Sequence, residues 1–246
     1  MKKVFLTLVG AVVALSMWAV DLPKQGLGVQ IGWAQPILRL NSPSNPPTAK
    51  DSLGTIVKMN GFKVGLAYDA SFVAGFGSTI GINYTFGASN SGWQSAGIIG
   101  EYPRTRQLVT YHEVEIFVDW QYKYEVAKET YLMVTTGPAI QCGIGLDMRA
   151  DKQQDYNTEI ENRHYNGYTT ENDNERFQRL NITWGIGAGF QYKRYFVRGG
   201  YDFGLVNPYA SKQFVNPVTE EPLDIYTRGR LDQWSIKLGV YLWYHE

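Results

Sequence analysis

The stretch LVTYHEVEIFVDWQYKYEVAKETYLMVTTGPAIQCGI, residues 108–144, decides the fold. In its first half Val114, Ile116, Val118 and Trp120 alternate with Glu113, Glu115, Phe117 and Asp119. In its second half Leu132, Val134, Thr136, Ile140 and Ile144 alternate with Met133, Thr135, Gly137, Gln141 and Gly143. A period of two reads as a β-strand with two different faces, because successive side chains point to opposite sides of a sheet. A polar connection over 124–130 joins the arms. Each arm exceeds the ~5–6 residues of an ordinary soluble strand and is near the ~9–11 that cross a bilayer obliquely. One greasy face, and one face of carboxylates and glycines, predict a membrane-spanning hairpin.

The same alternation recurs outward from this hairpin. Upstream, Leu27, Val29, Ile31 and Trp33 oppose Gly28, Gln30, Gly32 and Ala34. Phe62, Val64, Leu66 and Tyr68 oppose Lys63, Gly65 and Ala67, and Ile80, Ile82, Tyr84 and Phe86 oppose Thr79, Gly81, Asn83 and Thr85. Downstream, Leu180, Ile182, Trp184, Ile186, Ala188, Phe190 and Tyr192 oppose Asn181, Thr183, Gly185, Gly187, Gly189 and Gln191. Tyr195, Val197, Tyr201, Phe203 and Leu205 oppose Arg198, Gly200, Asp202 and Gly204. Last, Trp234, Ile236, Leu238, Val240, Leu242 and Tyr244 oppose Ser235, Lys237, Gly239, Tyr241 and Trp243.

The links between these segments alternate long and short: 41–54, 69–75, 87–106, 124–130, 147–176, 193–194 and 207–229. The expectation is an all-β, eight-stranded antiparallel up-and-down transmembrane β-barrel. Such barrels have short periplasmic turns and long external loops, and an even strand number puts both termini in the periplasm. A secreted β-sandwich is the alternative, but it has no reason to gather every long loop at one end. Aromatic residues add two belts. Counted from the short-turn ends, Tyr68, Trp120, Tyr122, Tyr192, Tyr195 and Tyr244 fall low, and Tyr84, Phe86, Trp184 and Trp234 fall one crossing higher.

The 246 residues carry 23 basic against 23 acidic side chains, so no strong field points to nucleic acid. The abundant Tyr (17) and Gly (26) suit barrel strands and interfacial girdles. The lone Cys142 reads as a small buried hydrophobe on the apolar face of its strand. Residues 1–19 have two lysines, an apolar run and small residues, the layout of a secretory signal peptide, leaving 20–246 as the barrel domain of an outer-membrane protein. No later segment is apolar enough for a membrane helix, so strands are the remaining way to span a bilayer.

The segments EVEIFVDWQYKYEV, YLMVTTGPAIQCGIG and GIGAGFQYKRYFVRGGYDFGL together resemble the porin-like outer-membrane barrel family common in Bacteroidetes, in which PorT-like proteins serve a protein-secretion apparatus. That resemblance implies a Gram-negative outer-membrane barrel, and its motifs specify fold more than activity. The chain departs from the usual assembly signal in that Tyr244 is followed by His245 and Glu246.

Eight strands enclose an interior that side chains fill, or that holds one small ligand. Lys63, Glu113, Glu115, Asp119, Arg198, Asp202 and Lys237 fall on the inward face. The expectation is a salt-bridged plug of Lys63, Glu115, Asp202 and Lys237, with Asp119 and Arg198 one layer lower, because buried charges are tolerated only when paired. Structural pairing is the first reading of this network and an ion or proton path the second. No catalytic residue emerges: His112 and Glu113 are the nearest acid–imidazole pair, but neighbours on a strand point apart. The acidic residues of 147–179 lack the central Gly and final Glu of a calcium loop, so neither metal nor cofactor is expected. The glycines of GIGAG, 185–189, keep the inner face small.

Three roles follow from this: a structural or surface-interaction barrel, a small-solute binder or transporter, and a PorT-like secretion accessory; a lipid-modifying enzyme is a distant fourth. The expected partners are outer-membrane lipid and lipopolysaccharide, the barrel-assembly machinery, and a surface or secretion-system protein.

Overall fold

In the computed structural model, residues 25–40, 55–72, 75–95, 104–154, 160–168, 177–208, 214–215, 222–223 and 229–245 are described. The leader at 1–19 lies outside them. Eight strands form the wall: β1 (Gln25–Leu40), β2 (Asn60–Ser71), β3 (Phe76–Asn90), β4 (Arg104–Ala127), β5 (Thr130–Gln153), β6 (Leu180–Tyr192), β7 (Tyr195–Gly204) and β8 (Gly229–His245). Each pairs antiparallel with its sequence neighbour, and β8 returns to pair with β1, from Gln25↔His245 to Leu40↔Gly229. This is the closed up-and-down ring that the alternation predicts, with every barrel strand paired on both sides.

The faces follow the alternation. Ile31, Leu66, Ile80, Ile116, Val134, Ile186 and Leu238 are exposed outward, while Lys63, Glu113, Asn83, Gln141 and Gln233 are buried within. This inverts a soluble protein, whose charged groups almost never go inside while its aliphatics stay out. The inversion is stable where hydrocarbon surrounds the wall, and the fold is that of a transmembrane β-barrel. No helix among the described residues is long and apolar enough to cross a membrane.

The structure corrects the loop limits. β3 runs to Asn90, β4 begins at Arg104, and the β4–β5 turn is only Lys128–Glu129, with Glu129 at φ 58. β4 and β5 have 24 residues each. At ~3.3 Å per residue and a tilt of ~40° they rise about 60 Å, roughly twice the ~30 Å hydrocarbon thickness. Their upper parts stand clear of the apolar band. There Glu161–Asn166 pairs with Asp147–Lys152 of β5, and Gln94–Ser95 with Arg104–Thr105 of β4. Polar sequence above a membrane needs no greasy alternation to form strands, so 87–106 and 147–176 read as loops although parts of them pair.

A bulge in β8 shifts the faces near its end. Opposite Leu27–Gly28, Leu242 is extra, so outward Leu27 pairs with Trp243. Trp243 is therefore exposed outside rather than inward, and Tyr244 pairs with Gly26, its side chain lying outside the described residues. A bulge swaps the parity of everything beyond it. Cys142 faces outward and is exposed, not buried, because the apolar side of its strand is the outside of the barrel.

Candidate functional site: a layered lumen

The lumen is filled in layers. Nearest the short turns, Asp69 on β2 accepts hydrogen bonds from Arg198 Nη2 (2.6 Å), Lys123 Nζ (3.0 Å), Thr79 Oγ1 (2.6 Å) and the Tyr241 hydroxyl. Arg198 Nη2 also donates to Tyr241 Oη at 2.9 Å, and its guanidinium lies 4.6 Å from the Phe196 ring centroid. Met133, Phe196 and Tyr241 form an apolar cluster beside these charges. Lys123 also donates to Gln191. One carboxylate thus joins two cations from β4 and β7 across the barrel.

Midway up, Lys63 Nζ donates to both oxygens of Glu115, at 3.0 and 2.9 Å. Asn83 and Gln141 donate to the same carboxylate at 2.7 and 3.0 Å, and each is gripped in turn, Asn83 by Gln30 and Gln141 by Asn181. Higher, Glu113 accepts from Tyr111 Oη and Gln233 Nε2, both at 2.7 Å. Above it Leu38, Met59, Val109, Tyr111, Leu146, Tyr168 and Phe177 make an apolar cluster. Tyr168 and Phe177 come from the segment between β5 and β6, so that segment helps close the bore. Gly143 admits it: a Cβ there would overlap the Tyr168 hydroxyl.

A chamber of about 40 Å³ remains between the lower and middle layers, lined by Asp119, Asp202, Lys237, Arg198 and Ser235 among others. That is room for a few water molecules. Phe117, Ala67 and Ala139 form an apolar patch, with Phe117 and Ala139 on the chamber wall, and Lys237 Nζ lies 5.2 Å from the Phe117 ring centroid. Among the described residues, Asp119, Asp202 and Lys237 make no hydrogen bond or ion pair with another side chain.

The seven sequence-selected charges all lie on the lumen side, but their partners differ from expectation. Lys63 and Glu115 meet; Asp202 and Lys237 line the chamber without joining them in an ion pair. Arg198 pairs with Asp69, not Asp119. Asp69 opens the 69–75 link expected from sequence, yet it continues the inward series Lys63, Gly65, Ala67, and Lys123 continues that of Glu113, Glu115 and Asp119. Extending the parity by one inward position finds Asp69, and by two, past Gln121, finds Lys123.

The aromatic belts also change. Tyr68, Tyr122, Tyr192, Tyr195 and Trp234 are exposed outward, while Tyr84, Phe86, Trp120 and Trp184 are half-buried. Trp120 and Trp184, assigned to opposite belts, pack together with ring centroids 5.7 Å apart. Counting residues from the turns ignores the stagger that tilted strands accumulate around a barrel. His112 lies away from Glu113 and meets Tyr84 Oη through Nδ1 at 2.6 Å.

On the external sheet, Asp151 is clamped by Arg106 (2.5 Å) and Arg149 (2.7 Å), and the Arg106 hydrogen bond holds its carboxyl below the usual range. Asp155, Glu159, Glu171, Asp173 and Glu175 lie outside the described residues. No cluster of three or more metal-ligating side chains occurs among those described.

No protein-family model matches the sequence, and no curated protein matches it either. Among solved structures, the chain is similar to Ail, the attachment invasion locus protein of Yersinia pestis, solved in complex with the heparin analogue sucrose octasulfate. The TM-score is 0.39 and the identity 13%, over 89% of this chain and 99% of that one. Neisserial surface protein A follows at a TM-score of 0.37 and 12% identity, over 89% and 99%. The N-terminal barrel domain of Pseudomonas aeruginosa OprF gives 0.26 and 9%, over 88% and 98%. Likeness at this level carries no argument about activity.

Proposed function

We propose that the chain is an integral outer-membrane barrel of a Gram-negative cell, with both termini periplasmic, that holds its external segments for contact with other molecules and does not conduct. The filled lumen carries this reading: among the described residues, ion pairs at two levels and an apolar cluster stand above and below a chamber of about 40 Å³. The connections 41–54, 91–103, 154–179 and 205–228 leave the end opposite the short turns, where β4 and β5 extend beyond the apolar band. A closed wall with its long connections gathered at one end suits display better than passage.

Planar-bilayer recording tests the closed bore: the reconstituted barrel gives no resolved single-channel steps, and regular steps in the wild type sink the reading. Crosslinking and pull-down from native membranes test the display role. Replacing 41–54 and 205–228 by short turns keeps the barrel and abolishes capture of a partner; unchanged capture places the contact elsewhere.

A further inference from the structure

On its outer surface the barrel carries a groove of about 780 Å³ running over β6, β7 and β8. It exists because two paired outward positions, Ala188 and Gly199, are small in a belt of larger side chains. A Cβ built on Gly199 meets nothing closer than 3.8 Å. Trp33, Trp234, Tyr201 and Phe203 wall the groove, and Tyr201 is held edge-on to both Trp234 and Phe203 at 4.6 Å. A fixed apolar slot on the lipid-facing side suits one hydrocarbon chain.

At its upper end stands Arg39, paired across β1 and β8 with Arg230. Both guanidinium groups donate through Nε to Asp232, at 2.9 Å, and Tyr201 Oη donates to the same carboxylate at 2.7 Å. Asp232 is fully buried, whereas the arginine side chains are 39% and 46% exposed. Two cations over one carboxylate leave one positive charge in surplus, and their terminal Nη groups are not taken by Asp232. The cluster sits on the long-loop side, where a lipid headgroup lies when its chain lies in the groove.

We infer that this groove binds one membrane lipid, its acyl chain over Ala188 and Gly199 and its anionic phosphate headgroup on Arg39 and Arg230. The inference rests on the membrane-spanning reading. The probe is an equal mixture of phosphatidylglycerol and phosphatidylcholine vesicles, with bound lipid read by native mass spectrometry after mild extraction. The wild type retains phosphatidylglycerol about fivefold over phosphatidylcholine, the scale of one net basic charge at a membrane surface. Arg39→Ala with Arg230→Ala removes the preference and keeps the total. Gly199→Leu, whose Cβ meets nothing closer than 3.8 Å, fills the slot and lowers retention of both lipids; because it leaves Asp232 and its partners intact, it decides the matter even if the arginine variant does not fold. Equal lipid load and ratio in the wild type and Gly199→Leu overturn the site. A barrel that enters neither vesicle sinks the membrane reading and the site together.

Discussion

Lys63 and Glu115, 52 residues apart in sequence, form a two-point ion pair inside the barrel, with the ammonium donating to both carboxylate oxygens. Asn83 and Gln141 complete the carboxylate's shell, so the pair is buried and satisfied together.

Removing one member strands the other. Lys63→Met leaves Glu115 as a buried, uncompensated charge and costs about 3–5 kcal/mol of stability. Lys63→Met with Glu115→Gln recovers most of that loss. Urea titration of the barrel in lipid vesicles measures both; additive losses in the double variant argue against direct coupling.

Asp69 is the node of the layer below. Asp69→Asn leaves Arg198 and Lys123 without their shared carboxylate and destabilises by a similar few kcal/mol. Arg198→Met on the Asp69→Asn background adds little further loss. Midpoints of heat-induced gel-mobility shift in detergent rank these variants, and an unchanged midpoint for Asp69→Asn excludes Asp69 as the node.

Cys142 reports on the wall. It faces outward between exposed Ile140 and Ile144, so an apolar maleimide dissolved in the bilayer modifies it and a charged, water-soluble one does not. Labelling by the charged reagent alone would contradict burial of that face in lipid.

Acid should loosen the external sheet before the barrel. Arg106 holds the Asp151 carboxyl below its usual range in the folded chain. A depressed carboxyl contributes stability above its unfolded value, near 3.9, and that contribution fades as pH falls through the lower folded value. Amides of 147–152 therefore exchange faster below about pH 4. Asp151→Asn exchanges fast at neutral pH and loses the acid step; an acid step that survives in Asp151→Asn assigns the titration to another group.

The barrel was legible because its constraint is repetitive: lipid outside and polar side chains inside force the same alternation on strand after strand. What failed was whatever depends on position around the ring. Trp120 and Trp184 touch because strand stagger shifts levels that counting along the chain keeps apart. Arg198 reaches Asp69, 129 residues away, because tilt brings β2 and β7 face to face across the lumen, a pairing no local pattern encodes. Trp243 turned outward because a single extra residue, Leu242, has no sequence mark. The extra strands above the band carry no such signal, since polar segments pair there without a greasy face.

The register from Gln25↔His245 to Leu40↔Gly229 also sets an order of events in time. The first strand waits for the last, so until β8 arrives both β1 and β7 present open edges, which are templates for mispairing. Neither the Asp69–Tyr241 contact nor the Glu113–Gln233 contact can form earlier, since each takes one partner from β8. A chain built this way folds late, slowly and nearly all at once. A truncation that removes β8 yields no smaller barrel, only an unclosed sheet in need of a chaperone.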